Sequence, residues 1–297
     1  MSEVGAYAGP PAESTAVAAR ASQALCVPGC RLTLLMSWLL ALLPLIGCVE
    51  SKGTKPVTIN FKAVVGGTDF SCDQVYSGLG TAGSPWVPGD FRLYVHDLRL
   101  ATPAGGEAPI QLDDDGQWQD GTVALLDFED GGGTCTTGDP ALHFTARGRV
   151  AADALPNLRF TIGVPESENH LNVTTERPPL NLSALYWTWT LGYMFVRLQG
   201  TFSLHLGSAG CVPVDANNPG KGVAGCANPN RPEVSLAGFD PAINTVVFDV
   251  AALFATTDLA DFGSVASCSA NPGEATCDGI FTALGLGSAA QTFVSME

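Results

Sequence analysis

The sequence predicts an all-β protein built as an antiparallel β-sandwich, with long disulfide-pinned loops and one or two short helices. Strand-length runs, many of which alternate apolar and polar residues, recur along most of the chain. Glycine, proline, asparagine or aspartate separates most of these runs, and no amphipathic helices lie between them. Regularly spaced strands without intervening helices favour an antiparallel sandwich over a parallel α/β sheet.

The expected strands follow one another along the chain. In the first, VTINFKAVV at 57–65, apolar and polar residues alternate until a glycine pair ends the run. In FRLYVHDLRLA at 91–101, apolar and polar residues alternate as well. Further strand-length runs lie at 122–129, 142–151, 157–164, 184–191, 193–207 and 244–254. Short helices of a turn or two are expected at 180–187 and 250–262.

The N-terminal extension, residues 1–47, has the plan of an export signal. Arg31 precedes an apolar run that is too short to span a bilayer and that ends at Cys48. The ending LIGC resembles a bacterial lipobox, in which Cys48 is lipidated; an ordinary signal peptide cleaved nearby is the alternative. Val49 follows in place of an aspartate, which implies sorting to the outer membrane. We therefore predict that 48–297 is a single β-sandwich domain, lipid-anchored on the periplasmic side or the surface of the bacterial outer membrane.

Charge and cysteine content also suit an exported protein. The formal net charge of −15 argues against nucleic acid or anionic lipid as a partner and favours a basic one. After Cys48 the chain has an even number of cysteines and no CxxC pair, which favours disulfides over a zinc cluster. The simplest connectivity joins the pairs that are close in sequence and then the remaining two, as Cys211–Cys226, Cys268–Cys277 and Cys72–Cys135.

Sequence motifs of catalytic sites are missing. The chain has no GxSxG, Walker, HExxH or Rossmann glycine pattern. The acidic stretch QLDDDGQW at 111–118 holds only a fragment of a calcium loop, so a solvated hairpin turn is favoured over a cation site. In LLDFEDGGG at 125–133, Asp127, Glu129 and Asp130 could bind a cation, but a strand end followed by a glycine loop is favoured. We therefore expect a protein that is not an enzyme.

A WxW motif and two histidines form the strongest candidate site. Trp187 and Trp189 would share one face of a strand, where they serve either core packing or chemistry. His170 lies in the loop before this segment and His205 on a strand after it. Two imidazoles beside an aromatic pair suit copper, and Met194 would add a soft thioether donor. A surface or core role for each histidine is the alternative.

Eight segments in order carry a resemblance to a known family. They are NFKAVVGGTDFSC, DFRLYVHDLRL, QWQDGTVALLDFEDGGGTC, LRFTIGVPESENH, LNLSALYWTWTLGYMFVRLQG, LHLGSAGC, NRPEVSLAGFDPAINTVVFDVAALF and GIFTALGLG. Together with the cysteines and the WxW motif, they resemble the MbnP-like family, the four-cysteine WxW proteins of the metallo-mystery pair. The resemblance extends from about 59 to 286.

The resemblance implies an exported copper-binding protein that is the substrate of a partner enzyme. Members are encoded beside a dihaem cytochrome c peroxidase-like (MbnH-like) protein. In the best-known pair this partner oxidises a tryptophan to kynurenine, and copper then binds there. Carried over to this chain, it implies oxidation of Trp187 or, alternatively, Trp189. His170 and His205 would complete the site for one ion, Cu(I) or Cu(II). Met194 stands where relatives often carry lysine, so it is either neutral or an added ligand. The alternative is a non-enzymatic surface lipoprotein or scaffold domain without a metal.

Overall fold

The computed structural model describes residues 53–260 and 267–297, which belong to one compact unit. Its strands, in chain order, are β1 (Thr54–Val65), β2 (Thr68–Asp69), β3 (Tyr76–Leu79), β4 (Ser84–Trp86), β5 (Pro88–Ala101), β6 (Glu107–Pro109), β7 (Gln111–Leu112), β8 (Val123–Asp127), β9 (Thr145–Ala151), β10 (Leu155–Ile162), β11 (Tyr186–Thr188), β12 (Gly192–Tyr193), β13 (Val196–Gly200), β14 (Ser203–Leu206), β15 (Ala209–Pro213), β16 (Val223–Asn228), β17 (Glu233–Leu236), β18 (Thr245–Asp249), β19 (Ser267–Cys268) and β20 (Val294–Met296). The predicted export signal and the lipidation site Cys48 lie outside the described residues.

Most of these strands form two large sheets. The first has the order β20-β18-β1-β9-β7, with β2 paired to β1, and the second has the order β17-β10-β5-β13-β14-β19, with β6 and β8 paired to β5. The all-β sandwich is thus confirmed. Its sheets are mixed rather than purely antiparallel, because β1 pairs in parallel with β18 and β14 with β19. These partners are joined by long connections, so no hairpin fixes their direction.

The sandwich core lies between the two sheets. Phe61 on β1 stacks on Phe248 of β18 with ring centroids 5.9 Å apart, and it meets Phe160 of β10 edge-on at 6.0 Å. Phe91 and Leu93 on β5 are fully buried in the same cluster. Their alternation, visible in the sequence, therefore points one face of β5 into the core.

The second sheet is buried on its outer face as well. Tyr94 points away from the sandwich core and packs against Tyr193, with ring centroids 6.0 Å apart. Further members of this second cluster come from the segment 164–195 and are Val164, Val173, Leu180, Leu185 and Phe195. The segment that contains the WxW motif is therefore the cover of this face.

Three disulfides pin the loops and match the expected connectivity. They are Cys72–Cys135, Cys211–Cys226 and Cys268–Cys277. The first and the third are buried. The second is half-buried and crosslinks β15 and β16, which form a hairpin outside both large sheets.

The helices are short, as expected. A 3-10 turn at Ser183–Leu185 and helix α1 at Val250–Phe254 lie in the two segments predicted to be helical, and a second 3-10 turn covers Pro219–Lys221. Helix α2, Ala275–Ala283, was not predicted, because the glycine inside it lowers helix propensity. Across the described ranges, no helix is both long and apolar enough to cross a membrane.

Candidate metal site

The WxW motif lies on a tight hairpin and not on one continuous strand. Strand β11 ends at Thr188, whose Oγ1 accepts a hydrogen bond from the Leu191 N–H at 3.2 Å, and β12 begins at Gly192. A Cβ atom at Gly192 would come 2.5 Å from both the carbonyl and the side-chain oxygen of Asn169. The shared strand face expected for Trp187 and Trp189 is therefore absent, because the chain turns between them.

Neither tryptophan of the motif is a core residue. Both are half-buried, whereas Trp86 is the fully buried tryptophan of the sandwich core. The indole of Trp187 lies against Gly207, where an added Cβ would come 2.5 Å from its Cζ3 atom. Gly207 comes two residues after His205, so the Trp187 ring covers the backbone at the end of the strand that carries this histidine.

The contact between Trp187 and Gly207 makes a testable prediction. The Gly207→Ala variant places a methyl group 2.5 Å from Trp187 Cζ3 and 2.7 Å from the Tyr193 carbonyl oxygen, so the indole has to shift. We expect a red shift of tryptophan emission and a destabilisation of about 1–3 kcal/mol, the usual cost of overpacking. The control is Gly106→Ala, where the nearest atom to the added Cβ lies at 3.5 Å. Equal spectra and stability in both variants would contradict the contact.

His170 is held in one tautomer by the main chain of the WxW hairpin. Its Nδ1 lies 3.0 Å from the carbonyl oxygen of Trp189. A carbonyl oxygen only accepts hydrogen bonds, so Nδ1 carries the proton and Nε2 carries the lone pair. The Asn169 side-chain amide approaches Nε2 at 3.0 Å. Burial lowers the pKa of His170 below its usual value, although the bond to Trp189 opposes this shift.

His205 is also a neutral imidazole with a nitrogen facing an amide donor. It lies on β14 opposite Arg197 of β13, and its Nε2 is 3.3 Å from the Gln199 amide nitrogen. Burial lowers the pKa of His205, and the positive charge of Arg197 lowers it further. Burial therefore favours the neutral form of both predicted imidazole ligands.

Hydrogen bonds of Asn169 connect chain segments that carry the predicted site residues. Asn169 accepts the Tyr193 N–H at 3.0 Å, and its amide lies 3.3 Å from the Ser208 hydroxyl. This asparagine therefore links the His170 loop, the WxW hairpin and the chain just after β14. The hydrogen-bond partners found for the His170 side chain (Asn169, Trp189 and Cys226) do not include Gln199, the partner of His205.

Met194, the optional ligand, is buried in the short link between β12 and β13. Its N–H donates to the Leu185 carbonyl at 2.9 Å. The two remaining histidines have other roles: His96 contacts the Gly163 carbonyl oxygen at 2.8 Å, and His143 stacks on Trp118 with ring centroids 5.0 Å apart. Neither was predicted as a ligand.

A disulfide next to His170 was not anticipated at this site. Cys226 Sγ lies 3.5 Å from His170 Nε2. Over the described part of the chain, the one group of three potential ligand atoms within 4.8 Å of one another is formed by His170, Cys211 and Cys226. The disulfide was predicted from the sequence, but its position beside the histidine was not, because residues 170 and 226 are far apart in the chain.

The acidic stretches do not gather into a comparable group. Asp115 instead caps a turn, because its Oδ1 accepts the N–H groups of Gln117, Trp118 and Gln119 at 2.7–3.1 Å. Hydrogen bonding by these N–H groups lowers the pKa of Asp115 although burial opposes it. This geometry agrees with the solvated turn favoured for 111–118.

A buried network of charges adjoins His205 and was missed by sequence reasoning. Cross-strand neighbours on the outer face of the second sheet are, in order, His205, Arg197, Arg92 and Asp127. Arg92 forms a bidentate ion pair with Asp90. Arg197 Nε lies 2.9 Å from the same Asp90 carboxylate. The alternation of apolar and polar residues along β5 predicted that its charged side chains lie on one polar face. It could not reveal that loops cover this face.

The most perturbed carboxylate in this network is Asp127. Burial raises its pKa from 3.8 to about 8; Arg92 counteracts the shift and the nearby charge of Glu129 adds to it. The surroundings of Asp127 therefore favour its protonated, neutral form. Because the folded-state pKa is raised, the associated stability is fully present below about pH 4 and is lost as the pH rises through about 8.

The Asp127→Asn variant tests this assignment. Asparagine imitates the neutral carboxyl, so the variant should match the wild type in stability below about pH 4, exceed it increasingly between about pH 4 and 8, and keep a constant advantage above about pH 8. Urea unfolding across this pH range measures the difference. Asp114→Asn, on an exposed carboxylate that pairs with Arg177, is the control and should show no such trend. A constant difference between wild type and Asp127→Asn at all pH values would contradict a raised pKa.

The fold and site define a disulfide-pinned β-sandwich with neutral imidazoles beside a half-buried tryptophan hairpin. Comparison with protein families matches residues 54–270 to the MbnP family. Among solved structures, MbnP from Methylosinus trichosporium is similar with a TM-score of 0.70 and 29% sequence identity, over 82% of this chain and 98% of that one. No curated protein matches the chain significantly. The chain belongs to the MbnP family, and thus to a class of metal-associated proteins.

Proposed function

We propose that this protein binds one copper ion through His170, His205 and an oxidised tryptophan of the WxW motif, with Trp187 as the first choice and Trp189 as the alternative. The observation that carries this proposal is the tautomer of His170. Its Nδ1–H donates to the Trp189 carbonyl, which leaves Nε2 as a lone-pair donor beside the hairpin. Histidines that bind metals are typically oriented in this way, by a hydrogen bond from the other ring nitrogen.

The oxidation supplies a ligand that tryptophan itself lacks. The indole N–H is a donor without an available lone pair. Cleavage of the indole C2–C3 bond by two equivalents of peroxide adds two oxygen atoms and releases two waters; hydrolysis then releases formate and leaves kynurenine. Its aryl amine and ketone both offer lone pairs. Trp187 is favoured because its ring is half-exposed and covers Gly207, next to the strand of His205.

The catalyst in this proposal is a partner and not this chain. A dihaem cytochrome c peroxidase-like (MbnH-like) protein would oxidise the tryptophan with peroxide, and this protein would be its substrate and the carrier of the metal. The acidic balance, with 29 aspartates and glutamates against 14 lysines and arginines, favours a partner with a basic docking face. Lipidation at Cys48 would place both proteins at the outer membrane.

Met194 has a secondary place in the proposal. It is buried and sits one residue after Tyr193, whose N–H is held by Asn169. Its thioether would favour Cu(I) over Cu(II) if it joined the ligand set. Replacement by leucine, which conserves its volume, would then shift the preference towards Cu(II) without a large loss of stability.

Expression with and without the dihaem partner tests the proposal. After co-expression, the peptide that contains Trp187 and Trp189 should show the replacement of one carbon by one oxygen, and copper should co-purify with the protein. Protein expressed alone should keep both indoles and retain little copper. A fold that is stable without metal, with an intact peptide and no copper after co-expression, would instead support the rival function, a surface lipoprotein or scaffold domain.

A further inference from the structure

The half-buried disulfide Cys211–Cys226 lies directly beside the lone-pair nitrogen of His170. Cys226 Sγ is 3.5 Å from His170 Nε2, and the donor atoms of the three residues lie within 4.8 Å of one another. Two thiolates and one imidazole are a common donor set for thiophilic metal ions. While the sulfurs are bonded to each other they are not thiolates, so the disulfide masks this donor set.

Of the three disulfides in the described residues, Cys211–Cys226 is the one that solvent can reach. Cys211 and Cys226 are both half-buried, whereas the sulfurs of the other two disulfides belong to buried residues. It also links a two-stranded hairpin that belongs to neither large sheet, and backbone pairing holds β15 and β16 together in addition to the S–S bond. A small dithiol can therefore reduce it without unfolding the sandwich, since exposed disulfides are the labile ones.

We propose that reduction of Cys211–Cys226 creates, together with His170, a Cys2His site for a thiophilic d10 cation, Zn(II) or Cu(I). A dithiol reductant attacks the S–S bond, leaves as a cyclic disulfide and gives two thiols on the protein. Binding of the cation then releases the two thiol protons to solvent. The site goes beyond the proposed function: it shares His170 with it but needs no oxidised tryptophan.

The distances suit such a site after a small rearrangement. Two thiolates bound to one zinc ion, each at about 2.3 Å, lie roughly 3.7 Å apart. Once the S–S bond is open, rotation of the two cysteine side chains would bring their sulfurs to that separation. His170 needs no change of tautomer, because its Nδ1–H is already held by the Trp189 carbonyl; only the Asn169 amide has to leave Nε2. Water completes a tetrahedral zinc site, whereas Cu(I) accepts three donors.

The test uses the full chain expressed without the dihaem partner, so that both indoles are intact and no kynurenine site can form. Anaerobic treatment with a dithiol, followed by alkylation and peptide mass analysis, should label Cys211 and Cys226 and leave Cys72 and Cys268 in their disulfides. After removal of the reductant, Zn(II) or Cu(I) is titrated against a chromophoric chelator. Reduced protein should bind one equivalent, at least about tenfold tighter than oxidised protein.

Two variants decide whether the proposed residues hold the cation. The double variant Cys211→Ser/Cys226→Ser should bind no better than oxidised wild type, and His170→Asn should weaken binding by about tenfold or more while the thiols still form. The proposal is overturned if reduced and oxidised wild type bind equally, or if the double serine variant binds like reduced wild type. The two titrations identify the cation as Zn(II) or Cu(I). Because no oxidised tryptophan is present, the result is independent of the proposed kynurenine site.

Discussion

The Trp187→Phe variant, co-expressed with the dihaem partner, is expected to lose its copper. Phenylalanine retains an aromatic ring against Gly207, but it cannot be converted to an aryl amine and ketone. Copper affinity should fall by more than about tenfold, since even residues that only orient a ligand cost that much when removed. Stability should change by about 1 kcal/mol or less, because the ring is half-buried and lies outside both core clusters. Copper content and urea unfolding are measured on the same preparation.

Two further tryptophan variants make this result specific. Trp189→Phe keeps the main-chain carbonyl that holds His170, so it should retain copper if Trp187 is the modified residue. Trp118→Phe, in a ring that stacks on His143, is the matched control and should retain copper as well. Copper loss in Trp189→Phe with full retention in Trp187→Phe would assign the oxidation to Trp189. Full copper retention in both WxW variants would contradict a tryptophan-derived ligand.

The Arg92→Met variant is expected to give the largest loss of stability. Arg92 is 4% exposed and pairs with the fully buried Asp90, and its Nε lies 3.9 Å from a carboxylate oxygen of the buried Glu129. Methionine fills similar space but leaves these carboxylates with less compensating charge. Removing one partner of a buried ion pair costs about 3–5 kcal/mol. Urea unfolding at neutral pH measures the change.

The control and the pH dependence distinguish charge from packing. Arg177→Met removes an arginine that is 72% exposed and pairs with Asp114, and it should change stability by less than about 0.5 kcal/mol. The loss of stability in Arg92→Met should shrink as the pH is lowered, because burial raises the pKa of Glu129, so this carboxylate gives up its charge more readily than an exposed one. A loss of stability below about 1 kcal/mol in Arg92→Met would contradict a charge network of this kind.

Much of the fold was predictable because it depends on local patterns. The alternation at 57–65 and 91–101 correctly identified the long central strands β1 and β5 and the face of β5 that enters the core. Cysteine spacing led to the disulfides that the structure forms. The parallel pairing of β1 with β18 was not predictable, because most of the chain separates the two strands and no hairpin turn connects them.

The candidate site was predictable in its residue types but not in its geometry. Strand alternation placed Trp187 and Trp189 on one face, whereas a turn after Thr188 separates them. The hydrogen bond from His170 is accepted by the main-chain carbonyl of Trp189. Every residue has such a carbonyl, so the amino-acid sequence does not indicate which one accepts the bond. The burial of Arg92 likewise depends on loops that return from distant positions to cover the outer face of the second sheet.

The most direct test of the account is the position of the metal itself. Crystals of protein co-expressed with the dihaem partner and loaded with copper should be measured at the copper absorption edge. The account predicts a single anomalous peak within bonding distance of His170 Nε2, the His205 imidazole and the aryl amine of a kynurenine at position 187. A copper peak away from these residues, or copper bound beside intact indoles at positions 187 and 189, would contradict it.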